Sequence, residues 1–362
     1  MKILLLGDIS PTELTAPLFV QGDKEALFHD TLSLFAEKDF AIANIECALT
    51  DHDTPIKKYG PPLKGPVETL DVLKDVGVDC CAFSNNHIFD YGIRGMQDTL
   101  KKLEEINLPY TGFGDDYEKS RKNFVFEKDG QKIAIVAVCE HEYTYALEDR
   151  MGARPFDEFD SMEDVRKAKE ECDKVIVLYH GGKEFCKYPS PRLHRVCHAF
   201  VRNGADVVLC QHSHCIGCYE KYENGHILYG QGNYHFVRYG HYIDMDWNLG
   251  FAVMYDTEKD QLEFTPVKEC EQGIALVKGE EKKKIMDTFH ADSQMLLNGK
   301  WKDGWHAFCE SNRDYYIQAI ARSCKEGATE WEHNCFGHFL DCEAHTDVWR
   351  ELFPSYNLTN EK

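Results

Sequence analysis

Long hydrophobic runs are missing from this sequence. The opening stretch, Met1-Lys2-Ile3-Leu4-Leu5-Leu6-Gly7-Asp8, holds only four consecutive apolar side chains between Lys2 and Gly7. That is too short for a secretory h-region, and no later segment approaches the roughly eighteen residues a membrane-spanning helix needs. Positive charge is scarce as well. Against 62 Asp and Glu stand 41 Lys and Arg, a formal net charge of −21. A chain of that sign repels a phosphate backbone, so nucleic acid is not expected as a partner. There is no internal repeat and no low-complexity segment. Cys215-Ile216-Gly217-Cys218 has no second pair at zinc spacing, so neither a Cys-rich zinc site nor a redox motif is expected there.

Cysteine itself is abundant, with 15 in 362 residues. The count is odd and the positions are scattered, including the adjacent pair Cys80 and Cys81. Several lie inside apolar segments such as Val207-Val208-Leu209-Cys210. This suits buried, reduced thiols in a soluble, cytoplasmic protein better than a disulfide framework. An apolar content of 43% and a charged content of 28% are those of an ordinary globular chain. The length allows one large α/β domain with an appendage.

In chain order, apolar strands alternate with helical patterns. Strands are predicted at Lys2–Leu6, Phe40–Asn44, Val76–Phe83, Ile133–Cys139, Val175–Tyr179 and Asp206–Cys210. Their continuous apolar character fits a sheet covered on both faces. Helices are predicted at Lys24–Glu37, Val67–Val76, Gly92–Ile106, Ser161–Cys172 and Arg192–Asn203. After Gln211 the signals turn to β, through His226–Tyr229, Phe251–Asp256 and Gln261–Val267. From about Gly279 the chain is helical in pattern, with Trp301, Trp305, Trp331 and Trp349, whose aromatic groups read as core. The expected division is residues 1–278 as the main domain and 279–362 as a helical appendage.

The chemistry lies in a recurring event, an apolar strand followed at once by a ligand-type residue. It happens at Asp8, at Glu46, at Asn86 with His87, at His180, and at His212 with His214. In open α/β sheets this is the edge where ligands bind. Mixed nitrogen and oxygen donors without thiolate suit manganese, iron or zinc. A carboxylate able to bridge two ions is what two-metal hydrolysis requires. Asp90, three residues after His87, is placed to orient that imidazole. A capped Asn-His turn is the plainer alternative. The Lys57, Lys58 and Lys64 loop is either a solvated turn or a substrate-facing segment. Glu140-His141-Glu142 is a candidate for a rim or substrate role, Glu184 for a polar contact that supports the site, and His235 and His241 read as loop residues.

The ordered set Gly7-Asp8, Asn44-Ile45-Glu46, Ser84-Asn85-Asn86-His87-Ile88-Phe89-Asp90-Tyr91-Gly92, His180-Gly181-Gly182 and His212-Ser213-His214 resembles the calcineurin-like metallophosphoesterase superfamily. Within it, Asn44-Ile45-Glu46 and Gly230-Gln231-Gly232-Asn233-Tyr234 resemble the bacterial capsule-synthesis CapA/PgsA branch associated with poly-γ-glutamate. The resemblance runs from Lys2 to about Tyr234. It implies an α/β/β/α sandwich, one or two divalent metal ions, and hydrolysis of a small-molecule or polymer phosphoester-type substrate. A non-catalytic, metal-binding accessory role in polymer synthesis is the alternative it also implies. By position, Asp8 and His214 resemble ligands of a first metal. Asn86, His180 and His212 resemble ligands of a second, and Glu46 the bridge. His87, backed by Asp90, resembles the imidazole that protonates the leaving oxygen or steadies the phosphoryl group. Ser10 stands where the superfamily usually has a histidine, so the first ion is expected to be held less tightly.

Overall fold

In the computed structural model, which describes residues 1–140, 143–238 and 246–354, two sheets lie face to face. One is eight-stranded and is centred on the parallel neighbours Lys2–Ile9, Phe40–Ile45 and Cys80–Ala82. Antiparallel strands Leu249–Asp256, Gln261–Cys270 and Gly273–Leu276 extend it on one side. The other is six-stranded, with Gln131–Cys139, Lys174–His180 and Val207–Gln211 parallel at its centre.

Period-two alternation sorts the side chains of these strands between two buried faces. Ile3, Leu5 and Ile42 meet Ile133, Ile135, Ile176, Leu178 and Leu209 between the sheets. Leu4, Leu6, Ala41 and Ala43 face outward onto Phe19, Phe28, Leu73 and Met96 of the first helical layer. Val136, Val175, Val177 and Val208 face outward onto Val165, Leu193, Val196 and Phe200 of the second. The result is a four-layered α/β/β/α sandwich. Five further helices between Gly279 and Leu352 complete the described chain. Among the described residues no helix is long and apolar enough to cross a membrane.

Two local departures from the sequence pattern have physical causes. The helix expected over Lys24–Glu37 is broken into Lys24–Phe28, a 3-10 turn and Leu32–Ala36, because His29 adopts a left-handed backbone with φ 43°. A hairpin strand, Phe124–Lys128, pairs with Gln131–Cys139 through Asp129 and Gly130, both at positive φ. This Asp-Gly turn signal lies in plain view in the sequence.

The appendage is tied to the sandwich by a buried ionic brace. Arg192 Nε lies 2.9 Å from Asp347 Oδ2, and the Ser190 hydroxyl donates to the same oxygen at 2.6 Å. Arg192 also bonds to Glu140, which accepts from the Tyr179 hydroxyl at 2.7 Å and from Gly182 N–H at 2.8 Å. Glu140 is therefore a buried brace for the loop after His180 rather than a rim residue. His141, Glu142 and His241 lie outside the described residues.

His235 is a buried strand residue, not a loop residue. Its ring sits 5.2 Å from Phe19 and 5.3 Å from Phe28, and neither ring nitrogen has a hydrogen-bond partner. Burial lowers its pKa to about 4. The unfolded ring takes up a proton near pH 6.5, the folded ring only near 4, so stability falls as pH drops through that window. We expect His235→Phe to remove about 2 kcal/mol of the stability lost between pH 7 and pH 5, at 1.36 kcal/mol per pH unit. Urea unfolding of both proteins at the two pH values checks this, and equal losses would disprove it.

Candidate metal centre and cavity

Parallel strands deliver their C-terminal ends to one edge, and the polar residues found there follow from that topology. Asp8 lies near the end of Lys2–Ile9, Glu46 follows Phe40–Ile45, Asn86 follows Cys80–Ala82, His180 ends Lys174–His180, and His212 and His214 follow Val207–Gln211. Both His212 and His214 have left-handed backbones, φ 80° and 52°. Non-glycine residues adopt this conformation at a cost and commonly at functional turns. Here it carries both imidazoles back over the sheet edge.

The side chains converge. His180 Nε2 lies 2.9 Å from Asn86 Oδ1 and 3.3 Å from Glu46 Oε1, and its Nδ1 lies 3.7 Å from Asp8 Oδ1. His214 is 3.9 Å from both Asp8 and Glu46. Two donor triplets, Asp8–Glu46–His180 and Glu46–His212–His214, each gather within 4.8 Å. Glu46 belongs to both. The resemblance had divided these residues differently, with His180 beside His212 and four donors for one ion against three for the other. With the Asn86 amide oxygen 2.9 Å from His180 Nε2, the grouping around His180 has four candidate donors and the grouping around His214 three.

Amides that belong to the sequence motifs but had no role assigned there hold this centre in place. Asn44 donates to Asp8 Oδ1 at 2.7 Å and also lies 3.2 Å from His180 Nδ1. Asn85 fixes Asn44 and the backbone of Ile45, while Asn233 Oδ1 sits 2.9 Å from His214 Nδ1. Asp8 also accepts the backbone N–H of His212 at 3.0 Å.

The electrostatics are those of a site shaped for a cation. Asp8 and Glu46 are both 0% exposed. Neither Glu46 oxygen nor His212 Nδ1 has a hydrogen-bond partner. A buried, unpartnered carboxylate is costly, and burial, reinforced by Asp8, pushes the Glu46 pKa well above its usual value. Burial lowers His180 to about 4 and His212 well below its usual value. Both imidazoles are thus neutral, the form that ligates metal. Ser10 is buried, with its hydroxyl unpartnered.

Beside this centre stands a second assembly. His87 Nδ1 lies 2.6 Å from Asp90 Oδ2, and Lys58 Nζ lies 2.6 Å from Asp90 Oδ1. Of the three loop lysines, Lys58 is the one that reaches inward, its side chain only 3% exposed. Lys57 pairs with Glu330 and Lys64 with Asp53. Burial, helped by Lys58 and opposed by Asp90, lowers His87 to about 4. With Nδ1–H given to Asp90, the resting ring presents an unprotonated Nε2.

His87, Asn86 and His212 line a cavity of about 290 Å³, together with Lys58, Lys183 and Glu184. Burial alone would raise Glu184, but the neighbouring Lys183 ammonium holds it below the usual carboxylate range. The opposite wall comes from the appendage, through Tyr315, Trp331, His338, Phe339, Cys342 and His345. Trp301 and Trp305 are core, as their sequence pattern suggested. Trp331 is not, being 52% exposed at the cavity rim. Cys215 and Cys218 are buried thiols, and Cys218 donates to Lys187 O.

The fold and site define a four-layered α/β/β/α protein with a carboxylate–imidazole centre at the edge of its parallel strands. The chain belongs to the bacterial capsule synthesis protein PGA_cap family, whose pattern matches residues 2–237. It is 30% identical over 248 residues to capsule biosynthesis protein CapA of Bacillus anthracis, covering 65% of this chain and 60% of that protein. With PGA biosynthesis protein CapA of Bacillus subtilis it shares 27% over 310 residues, 82% of this chain and 78% of the relative. A probable polyglutamine synthesis accessory protein of Mycobacterium tuberculosis is 28% identical over 208 residues, 54% of this chain and 55% of the relative. Among solved structures, a putative 5'-nucleotidase from Staphylococcus aureus aligns at TM-score 0.46 and 15% identity, covering 80% of this chain and 58% of that one.

Proposed function

We propose that this chain is a divalent-metal-dependent hydrolase that cleaves a phosphoester or acyl-phosphate bond in capsule or poly-γ-glutamate metabolism. The observation that carries this reading is Glu46, a fully buried carboxylate with neither oxygen hydrogen-bonded, shared by two triplets of metal-type donors. Asp8, Glu46 and His180 would hold one ion of manganese, iron or zinc, and Glu46, His212 and His214 another, with the Asn86 amide oxygen beside His180. Such ions supply a Lewis acid for phosphoryl oxygens and acidify water for attack at neutral pH.

The protein's own groups do the rest. Asn44 orients the Asp8 carboxylate. Lys58 and Lys183 put positive charge on the cavity wall, where an anionic substrate gains from it in a partly desolvated site. Asp90 fixes the tautomer and direction of His87. The resting ring is a proton acceptor. An anionic substrate close to Nε2 favours the imidazolium, and the ring can then give its proton to the departing oxygen. A cavity of about 290 Å³ is at the small end of ligand pockets and suits a small molecule or the end of a polymer. The helices that carry Tyr315, Trp331, Phe339 and His345 serve as its roof, and the free thiols suit the cytoplasm.

The second reading, a non-catalytic metal-bearing accessory protein, is favoured by the names of the Mycobacterium tuberculosis relatives. Metal analysis of the purified protein, followed by a phosphoester and acyl-phosphate panel with Mn²⁺, Zn²⁺ and Mg²⁺, separates the two. Turnover that depends on added metal and is lost with a chelator is expected. Stoichiometric metal with no turnover on any member would favour the accessory role.

A further inference from the structure

A separate cluster of metal-type donors lies in the roof, apart from the centre around Glu46. His338 is in the last turn of helix Glu330–Asp341, Cys342 joins that helix to Glu343–Leu352, and His345 is in the first turn of the latter. One ligand atom from each lies within 4.8 Å of the others. The backbone at Cys342 is extended, φ −71° and ψ 128°. This turns the chain so that His345 comes back over His338, with ring centroids 4.8 Å apart. In sequence the pattern is His-x3-Cys-x2-His, within the short ligand spacings that zinc sites use. All three donors come from one helix–turn–helix, so the geometry is local and needs no long loop closure.

Two further observations point to an ion rather than to packing alone. The Tyr316 hydroxyl lies 2.6 Å from His345 Nδ1, which fixes the ring and leaves Nε2 as its ligating atom. Metal-bound imidazoles are commonly held through their other nitrogen in this way. All three residues also line the cavity, across from Lys58, His87 and His212. An ion there would keep one coordination position turned toward the substrate space.

We propose that His338, Cys342 and His345 form a zinc site in the cavity roof. Two imidazoles and one thiolate supply three tetrahedral positions, and the fourth takes an oxygen of an anionic substrate. The thiolate selects zinc over manganese or magnesium. The site shares no residue with the centre around Glu46, so zinc binding by its three side chains is tested apart from that centre; the fourth ligand alone rests on the proposed hydrolase reading. The competing arrangement is a packed aromatic cluster, in which His345 simply stacks on Phe339 at 4.0 Å. That arrangement binds no metal.

The test uses the full chain, stripped of metal, kept reduced and titrated with Co²⁺. A Co²⁺–thiolate bond gives a sulfur-to-metal charge-transfer band in the near ultraviolet, and the nitrogen and oxygen donors around Glu46 cannot produce one. We expect the band in the wild-type chain and in Glu46→Gln. It should also survive Cys324→Ser, which removes an exposed thiol, and vanish in Cys342→Ser. Zinc content should fall by one equivalent in that last variant. Absence of the band in the wild-type chain, its loss in Glu46→Gln, or its persistence in Cys342→Ser would each overturn the proposal. Should Cys342→Ser fail to fold by circular dichroism, His345→Phe keeps the stacked ring and removes one ligand. Its Co²⁺ affinity at the banded site should drop about tenfold or more, by analogy with the loss of ligand-supporting groups. Unchanged affinity would refute the site.

Discussion

Glu46→Gln is expected to stabilise the metal-free protein and to abolish the stabilisation that metal confers. In the metal-free chain Glu46 is buried beside Asp8 with no hydrogen-bond partner, and its pKa is raised. A raised carboxyl pKa means that stability is present at low pH and lost as pH rises through the folded value. At neutral pH the wild-type protein therefore carries a burden that an isosteric amide lacks. Relieving it should yield about 1–2 kcal/mol, the scale of a poorly satisfied buried polar group. For a chain of 362 residues that corresponds to a rise in Tm of about 1–1.5 °C per kcal/mol. Saturating metal acts in the opposite direction. An ion at about 1,000 times its Kd stabilises the wild-type fold by about 4 kcal/mol, and the variant should gain almost none of this. Activity should fall by more than about 100-fold, beyond the usual effect of losing a group that merely supports a ligand. Calorimetry with and without Mn²⁺ on both proteins decides the matter. If Mn²⁺ raises Tm equally in both, Glu46 does not hold the ion.

How much of this site the sequence displayed depends on the kind of feature. Asp8, Glu46, Asn86, His180, His212 and His214 were legible because parallel strands announce themselves as apolar runs, and every run delivers its last residues to the same edge. The asparagines that brace them were not. Asn44 sits within a strand, where an amide signals nothing by spacing, and only pairing of Lys2–Ile9 with Phe40–Ile45 brings it to Asp8. Asn233 likewise reaches His214 because its strand pairs with the first, Asp8 opposite Asn233. Lys58 could be read as loop or site, and burial against Asp90 settled its direction. The roof was the least legible part. Its helices follow the sandwich in sequence but fold back over the cavity through the Arg192–Asp347 pair, some 155 residues apart. Periodicity describes such helices well and says nothing about what they cover.

Replacing His87 separates chemistry from metal binding. His87 is not in either donor triplet, yet it lines the same cavity and is held by Asp90 and Lys58. His87→Asn should lower kcat by about 10²–10⁴-fold, the usual contribution of a positioned acid or base. Metal content should stay at the wild-type level, and KM should change little, because binding common to ground and transition states is untouched. Asp90→Asn should give a milder loss of about 10–100-fold, through an imidazole whose direction and tautomer are no longer fixed. Leaving-group dependence then distinguishes a proton donor from a positioning group. If His87 is the proton donor, a departing alkoxide needs its proton, whereas a departing nitrophenoxide is stable enough to leave without it. The loss in His87→Asn should therefore be much larger for an alkyl ester than for the nitrophenyl ester of the same acid. An equal loss on both esters would place His87 in substrate positioning. Full activity with only a lowered Tm would make it a packed loop residue, and the hydrolase would then have to find its proton elsewhere.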